Sequence, residues 1–313
     1  MIVGNVKNSY TDLASYNSTE KVTVKNTETT VSKVATEGVI YSTEKLLEKE
    51  SRLYDKTGNT IAVASYGGFT SGQGVQQALF DLGFYSGPMD GSLSSTLTKN
   101  ALKEFQCVYG MTQSGNADVT TLSKLKRAYD YNCEAIAAYR NNQELSSHFP
   151  MDSIQLDNFG MTWAFLREGM ELDTMHASAV MSNIRWESGF SSDNLRDVGD
   201  NVTIHDPNYA YDVNDGKAYG LMQWCHASRK EGLLNKANSM GLHYSDINAQ
   251  LAYFREETET ICAGSWSQFK NIDNLHNATV YFMDNIEIPN PSHRNPAERM
   301  ATADIIYNTL QGV

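Results

Sequence analysis

The sequence feature that most constrains the fold is a series of helical segments that are bounded by glycines. These glycines restrict residues 69–130 to short helices joined by tight turns. In the stretch SGQGVQQALFDLGFYSGPMDG, Val75, Leu79 and Leu82 recur at helical spacing before a Gly-Pro and an Asp-Gly pair. A second apolar stripe ends at Gly110, and Asp118 is placed to cap a third helix. The pattern predicts a small three-helix bundle.

Residues 151–313 show helical periodicity and are predicted to be all-helical. In DTMHASAVMSNIRWESGF, one apolar stripe runs along a helix that Asp173 or Thr174 caps and that Gly189 follows. The fold class is therefore mainly α. We predict a three-helix bundle and an all-α domain, preceded by an extended Thr/Ser-rich arm.

The remaining segments are an N-terminal arm and a connector. Residues 1–68 are rich in Thr, Ser, Asn and Lys, and the alternation of Val22, Val24 and Val31 indicates edge-like strands or an extended arm. This arm is either a flexible leader or a docking segment for a larger assembly. Residues 131–150 end at Pro150 and are interpreted as an interdomain linker.

Composition excludes several functional classes. The 313 residues suggest two or three units, and a net charge of −12 argues against nucleic acid, which clustered Lys and Arg bind. Four scattered cysteines and seven histidines show no ligand spacing, so we expect reduced thiols, no metal and no cofactor. The N-terminus lacks the pattern of a Sec signal, and no apolar run is long enough to span a membrane.

The stretch 69–130 resembles the peptidoglycan-binding domain family. The matching motifs are LGFYSGPMDG at 82–91, FQ at 105–106 and TTLSKL at 120–125. The resemblance implies a wall-binding module in which Tyr85, Asp90 and Gln106 line a shallow groove for glycan or stem peptide. Phe105 is expected in the core.

Glu187, in the motif NIRWESGF, is the candidate catalytic residue. It falls in the last turn of its predicted helix, where the helix dipole disfavours a negative charge. Trp186 and Phe190 would add desolvation, and both effects raise the pKa of a carboxyl. A carboxylic acid that keeps its proton near neutral pH is what glycosidic bond cleavage requires. Exposure to bulk water, or an ion pair with arginine, would contradict this assignment.

The motif WESGF followed by AYGLMQWCHASR resembles the goose-type lysozyme and lytic transglycosylase group. With NAQLAYFREE at 248–257 and ATVYFMDNIEIPNPSHRNPAERMATADIIY at 278–307, residues 155–310 resemble the phage tail lysozyme family. The resemblance implies that Glu187 is the catalytic acid. It also implies that Gly220, Gln223 and Trp224 line the cleft, and Tyr281 is a further candidate for substrate contact.

A second carboxylate would be needed if the reaction is an inverting hydrolysis. The long segment between Glu187 and Gly220 offers six candidates, among which we favour Asp206, Asp212 and Asp215; the others are Asp193, Asp197 and Asp200. A lytic transglycosylase would need none of them, because the 6-hydroxyl of the muramoyl sugar attacks instead.

A cysteine peptidase is an alternative from another class. Cys225 with His276 or His293 would have the form of a nucleophile and base that meet through the fold. Adjacent residues such as Cys225 and His226 rarely make such a pair. A third possibility is a structural component whose lysozyme-like domain binds glycan without cleaving it.

The expected function is an N-acetylmuramidase that cleaves the β-1,4 bond between N-acetylmuramic acid and N-acetylglucosamine. The resemblance implies peptidoglycan as partner and a phage endolysin, or a lysin mounted on a phage tail or contractile injection system. The arm at 1–68 would then contact tail or baseplate proteins. The expected location is a virion or tail-like particle, or the bacterial cell wall.

Overall fold

The computed structural model describes residues 67–196 and 209–313, together with the short strands β1 (Glu20–Val24), β2 (Thr27–Val31), β3 (Leu53–Tyr54), β4 (Thr60–Ile61) and residues 203–204. The chain divides into two compact units, Met1–Ser51 and Arg52–Val313. In the first unit, strands β1 and β2 pair antiparallel with Val22 opposite Thr29. Most of the arm predicted for residues 1–68 lies outside the described residues.

The bundle predicted for residues 69–130 is present. Its helices are α1 (Gly72–Asp81), α2 (Thr96–Val108) and the first half of α3 (Val119–Asn141). Each begins at a side-chain cap, and Asp118 caps α3 as predicted by accepting a hydrogen bond from the Thr121 amide at 2.8 Å. The apolar stripes face one another, and Phe105 lies fully buried in the core.

The segment predicted as a linker contributes to the core. Residues 131–141 continue α3 without a break, and α4 (Gln143–His148) follows. Cys133, Tyr139 and Phe149 are buried here, because α3 packs along α5 (Ser153–Ala164). These residues form a rigid connection, and the domain boundaries themselves stay a prediction.

Helices dominate the second half as well, so the mainly α prediction is confirmed. In chain order the elements are a π-helical turn Phe165–Gly169, α6 Thr174–Ser188, α7 Ala227–Met240, α8 Ile247–Glu256, a π turn Glu257–Ile261, α9 Ala263–Phe269, α10 Leu275–Phe282, a π turn Met283–Glu287, a 3-10 turn Pro291–His293 and α11 Pro296–Leu310. None of the helices in the described ranges is both long and apolar enough to cross a membrane.

A small sheet interrupts this helical half and was not predicted. Strand β5 (Leu195–Arg196) pairs antiparallel with both β6 (Thr203–Ile204) and β7 (Ala218–Tyr219). Each strand has two residues, which is too short for an alternating pattern to be recognised in the sequence. The sheet brings Arg196 and Ala218 to the same place as the end of α6.

The bundle and the second half share one hydrophobic core. Asn248 of α8 donates from its amide to the Leu82 carbonyl at 3.0 Å, and Arg255 donates to the Val108 carbonyl at 3.0 Å. Arg255 also donates to the Gly169 carbonyl at 2.6 Å. Buried polar contacts therefore fix the position of α8 against the bundle.

Candidate active site

Helix α6 delivers Glu187 as the sequence predicts. Asp173 accepts a hydrogen bond from the His176 amide at the start of α6, and Gly189 ends the helix in the left-handed conformation at φ +60°. Glu187 lies in the last turn and is 5% exposed. Trp186 does not bury it as expected, because its indole is 37% exposed and donates to Thr302 at 2.9 Å.

A cavity of about 380 Å³ opens beside Glu187. Residues from five parts of the chain line it: Glu187, Arg196, Ala218, Gln223, Cys225, His226, Arg229, Glu287, Ile288, Pro289, Asn290 and His293. Glu187 and Glu287 are buried in its wall, while Ile288 is exposed. The cavity is large enough to take a sugar residue beside a carboxyl group.

An arginine lies behind Glu187. Arg299 of α11 is 2% exposed and donates to the carboxylate of Glu187, to Asn183 at 2.8 Å and to Asn295 at 2.7 Å. This ion pair contradicts the prediction that Glu187 alone keeps a proton, because a buried guanidinium stabilises a carboxylate. The residue expected at this site is present, but its electrostatic environment was predicted wrongly.

Glu187 shares the retained proton with Glu287, a residue that the sequence does not single out. Burial, the adjacent charge of Glu187 and a hydrogen bond between the two side chains together raise the pKa of Glu287 to about 9, against the opposing effect of Arg299 and Arg229. Arg299 is 3.6 Å from Glu287 Oε2. At neutral pH the two carboxyls therefore share one proton and act as a coupled pair.

No local signal could have identified Glu287. Glu287 is the last residue of the π turn Met283–Glu287, far downstream of α6. It lies within a stretch whose sequence resembles that of the phage tail lysozyme family. The π turn and the left-handed conformation of Ile288, at φ +58°, are both unusual backbone states for these residues. Such states cluster at functional sites, and only the fold shows that this one faces Glu187.

Arg229 holds the Glu287 backbone in place. It donates to the Glu287 carbonyl at 3.1 Å and pairs with both carboxylate oxygens of Glu257 at 2.6 and 2.8 Å. Trp224 donates to the same Glu257 at 3.1 Å and is fully buried. The prediction that Trp224 lines the cleft is therefore wrong, since no face of its ring is accessible; it supports the Arg229 pair from the core.

Gln223 reaches the cavity as predicted. Its backbone lies in the left-handed region at φ +51°, and its amide nitrogen donates to the carbonyls of Asn194 at 3.1 Å and Gly220 at 2.9 Å. Its Oε1 is buried and has no hydrogen-bond partner in the described part of the chain. A buried acceptor without a partner is costly, so Gln223 is suited to accept an N–H or O–H from a ligand.

Two other residues predicted to contact substrate lie elsewhere. Gly220 shapes the turn before Gln223: its φ is +77°, and a Cβ there would lie 2.8 Å from the amide of Gln250. The close approach predicted for Gly220 is therefore made by Gln250 and not by a ligand. Tyr281 donates to Gln268 at 2.8 Å, away from the residues that line the cavity.

Asp212 and Asp215, the favoured second carboxylates that lie in the described residues, do not line the cavity with Glu187. Asp215 is paired with the buried Lys230 and accepts a hydrogen bond from Tyr209 at 2.7 Å. Although burial opposes it, this hydrogen bonding lowers the pKa of Asp215 below its usual range. Asp212 is exposed and accepts from a backbone amide in its own turn. Asp206 lies outside the described residues, as do Asp197 and Asp200.

The predicted groove of the bundle is not formed by the three residues chosen for it. Tyr85 is 3% exposed and donates to the Pro88 carbonyl at 2.8 Å, and Asp90 accepts from Gln76 and Ser92 at 2.8 Å each. Gln106 is 1% exposed and its amide is fully used inside the bundle. Tyr85 and Gln106 are therefore buried and present no surface to a wall polymer, whereas Asp90 is exposed and stabilises its own turn.

The structure brings together some, but not all, of the residues named for the cysteine peptidase alternative. Cys225, His226 and His293 all line the cavity, whereas His276 pairs with Asp304 at 2.8 Å and does not line it. All four cysteines are free thiols. In the described ranges, no three His, Cys, Asp or Glu side chains converge as a metal site would require.

Two family models match the chain. Residues 157–310 match the phage tail lysozyme family, and residues 73–125 match a peptidoglycan binding domain. Neither a curated protein nor a solved structure matches it. The first matched range contains the whole cavity, and the second contains the three-helix bundle up to the first turns of α3.

Proposed function

We propose that this chain, which carries a phage tail lysozyme domain and a peptidoglycan-binding domain, is a glycosidase that cleaves the β-1,4 bond between N-acetylmuramic acid and N-acetylglucosamine. The observation that carries the proposal is the coupled pair of Glu187 and Glu287 on the wall of the cavity. One retained proton at neutral pH is what a general acid needs.

In the proposed mechanism the pair donates its proton to the departing glycosidic oxygen. The bond from C1 to that oxygen breaks with its electron pair on the oxygen, and positive charge develops on the sugar ring. The negative charge left on the pair stabilises this ring, while Arg299 and Arg229 hold the two carboxyls in position. The attacking oxygen then bonds to C1 and returns its proton to the pair.

A lytic transglycosylase is the second candidate, and one observation favours it. The two acidic residues that line the cavity are hydrogen-bonded to each other, so no water molecule fits between their carboxyls. An inverting hydrolase needs that space, with carboxyls roughly 6.5–9.5 Å apart. An attack by the muramoyl 6-hydroxyl needs no second carboxylate across the cavity.

Digestion of purified cell wall tests the proposal. Glu187→Gln and Glu287→Gln are each expected to lower fragment release by about 100-fold or more, because each removes part of the proton donor. Glu231→Gln, on the exposed side of α7, is the matched control and should act as the parent does. Equal release by Glu187→Gln and the parent would contradict the assignment and would favour a wall-binding structural component.

Mass spectrometry of the same digests separates the two reactions. A hydrolase leaves reducing muramic ends, whereas a transglycosylase leaves 1,6-anhydromuramic ends. The peptidase alternative predicts cleaved stem peptides and complete loss of activity in Cys225→Ser. The glycosidase proposal predicts that glycan fragments are still released by Cys225→Ser, since the thiol has no role in proton transfer.

The bundle is proposed to hold the protein on peptidoglycan and so raise the local concentration of substrate. The protein would then act at the bacterial wall, either as a free endolysin or as part of a phage tail or contractile injection particle. Association with tail or baseplate proteins is assigned to the arm at residues 1–68. Electron microscopy of purified particles labelled with an antibody to this chain would distinguish the mounted form from the free one.

A further inference from the structure

Arg196 is the one cavity-lining cation in the described residues whose charge is not offset there. Glu187 is paired with Arg299, and Glu257 is paired with Arg229. With Glu287 protonated, these groups sum to no net charge. Arg196 makes no ion pair within the described part of the chain, although the protein as a whole carries a net charge of −12.

Within the part of the chain that the structure describes, most N–H donors of Arg196 have no acceptor. One terminal nitrogen donates to the Glu187 carbonyl at 3.1 Å, at the end of α6. A guanidinium has five N–H donors in a planar fork that matches a carboxylate, so most remain for a ligand. The single bond to α6 and the position on β5 orient this fork next to the acid pair.

The neighbouring rim also suits an anion. His226 and His293 line the same cavity, and His226 lies at the start of α7, where its Nδ1 is 3.0 Å from the hydroxyl of Ser228. The N-terminus of α7 contributes partial positive charge. Gln223 Oε1, which is buried and has no donor among the described residues, can accept an N–H from the same ligand. A ligand with an amide N–H and a carboxylate a few bonds apart fits both needs.

We propose that Arg196 binds a carboxylate carried by the muramyl residue, in a subsite next to the acid pair. The proposal rests on the proposed function, because it assigns the anion to the substrate of that cavity. The carboxylate has two sources with the same chemistry: the lactyl group of a muramyl residue without peptide, or the free carboxylate of an attached amino acid. Arg196 is thus a specificity residue that distinguishes muramyl glycan from uncharged N-acetylglucosamine polymers.

Binding of monosaccharides tests the subsite without any cleavage. The probes are N-acetylmuramic acid and N-acetylmuramoyl-alanine, each compared with its uncharged methyl amide by titration calorimetry. At least one acid should bind about tenfold more tightly than its amide, since a charge-assisted bidentate contact is lost in the amide. The pair that shows the difference identifies the source of the carboxylate.

Variants of the full-length chain complete the test. Arg196→Gln should remove the preference for the acid, and Arg196→Lys should retain part of it because it keeps the charge but not the fork. Arg140→Gln, at the exposed end of α3, is the matched control and should keep the preference. Unchanged thermal unfolding of Arg196→Gln would show that the fold is intact.

The outcomes separate this inference from the proposed function. Equal binding of both acids and their amides by the parent, or a preference that persists in Arg196→Gln, would overturn the subsite even if the wall is digested. A preference that depends on Arg196 in a protein that releases no glycan fragments would leave the subsite standing and overturn the glycosidase proposal.

Discussion

Two buried glutamines, one in the bundle and one in the cavity, show how the same side chain serves different purposes. Gln106 donates to Thr121 at 3.0 Å and accepts from the Gly115 amide at 2.8 Å, so both ends of its amide are satisfied. Gln223 uses its nitrogen in the same way but leaves Oε1 without a partner in the described residues. The bundle satisfies its polar groups internally, whereas the cavity leaves some for a ligand.

The carboxylates show the same contrast. In the bundle, Oδ1 of Asp90 accepts hydrogen bonds both from Gln76 and from a backbone amide of its own turn. Glu287 in the cavity is buried beside a second carboxyl, and its Oε2 lacks a hydrogen bond among the described residues. Complete satisfaction indicates a structural role, and an unsatisfied buried group indicates a site that is completed by substrate.

The largest effect is expected from Arg299→Met, which removes the cation behind the pair. Glu187 would then be a buried charge without a counter-ion, and the free energy of unfolding should fall by about 3–5 kcal/mol. Urea unfolding measures this. Addition of Glu187→Gln to Arg299→Met should restore part of the loss, and an equal loss in the single and double variants would contradict the ion pair.

The next effect concerns pH and the raised pKa of Glu287. Because this pKa is about 9 in the folded state and ordinarily 4.5, the folded chain holds an extra proton between these values. The stability that this proton contributes is complete below about pH 4.5 and is lost as pH rises through about 9. Fragment release should decline over the same alkaline range.

Glu287→Gln provides the comparison for that measurement. The amide cannot titrate, so the variant should lose less stability than the parent between pH 6 and pH 10 in urea titrations. Parallel pH curves for the two proteins would mean that Glu287 does not carry the proton.

Substitution of the two buried glutamines is expected to affect stability and activity differently. Gln106→Ala should cost about 2–3 kcal/mol of unfolding free energy, because it leaves buried donors and acceptors of the bundle unpaired. Its turnover per folded molecule should equal that of the parent. Gln223→Ala should cost less stability, about 1–2 kcal/mol, but lower turnover about tenfold. A lower turnover in Gln106→Ala than in Gln223→Ala would contradict the structural role of Gln106 and the ligand-binding role of Gln223.

The smallest effect is expected at the helix caps. Asp118→Ala in the bundle and Asp173→Ala at α6 should each cost about 1 kcal/mol, because each leaves a helix amide without its side-chain acceptor. Thermal unfolding measures both. Asp173→Ala should in addition lower fragment release if the position of α6 controls Glu187, whereas Asp118→Ala should not.

Local patterns were sufficient to predict the helix that carries the candidate acid. Asp173, the apolar stripe and Gly189 mark its start, its buried face and its end, and these signals lie within eighteen residues. The same is true of α3, which begins after Asp118. Capping and periodicity depend on neighbours in the chain, so a single sequence contains them.

The environment of Glu187 depends on contacts that no local pattern reveals. Arg299 and Glu287 come from the C-terminal fifty residues, and their approach to α6 is decided by the packing of α10 and α11. Trp224 and Gln106 were assigned to surfaces because their residue types suit sugars, but their burial could not be known. Burial and long-range pairing decide function here, and both follow from the fold.

The uninterrupted course of α3 has a consequence for how a wall strand is cut. Arg255 and Asn248 bond α8 to the bundle, and in the described residues α3 runs on from the region matched to peptidoglycan binding without an unstructured linker. A glycan strand bound by the bundle would therefore enter the cavity at a fixed distance from the binding region. The glycan products should then have one main chain length, in contrast to the broad range of lengths expected if a flexible linker joined the two regions.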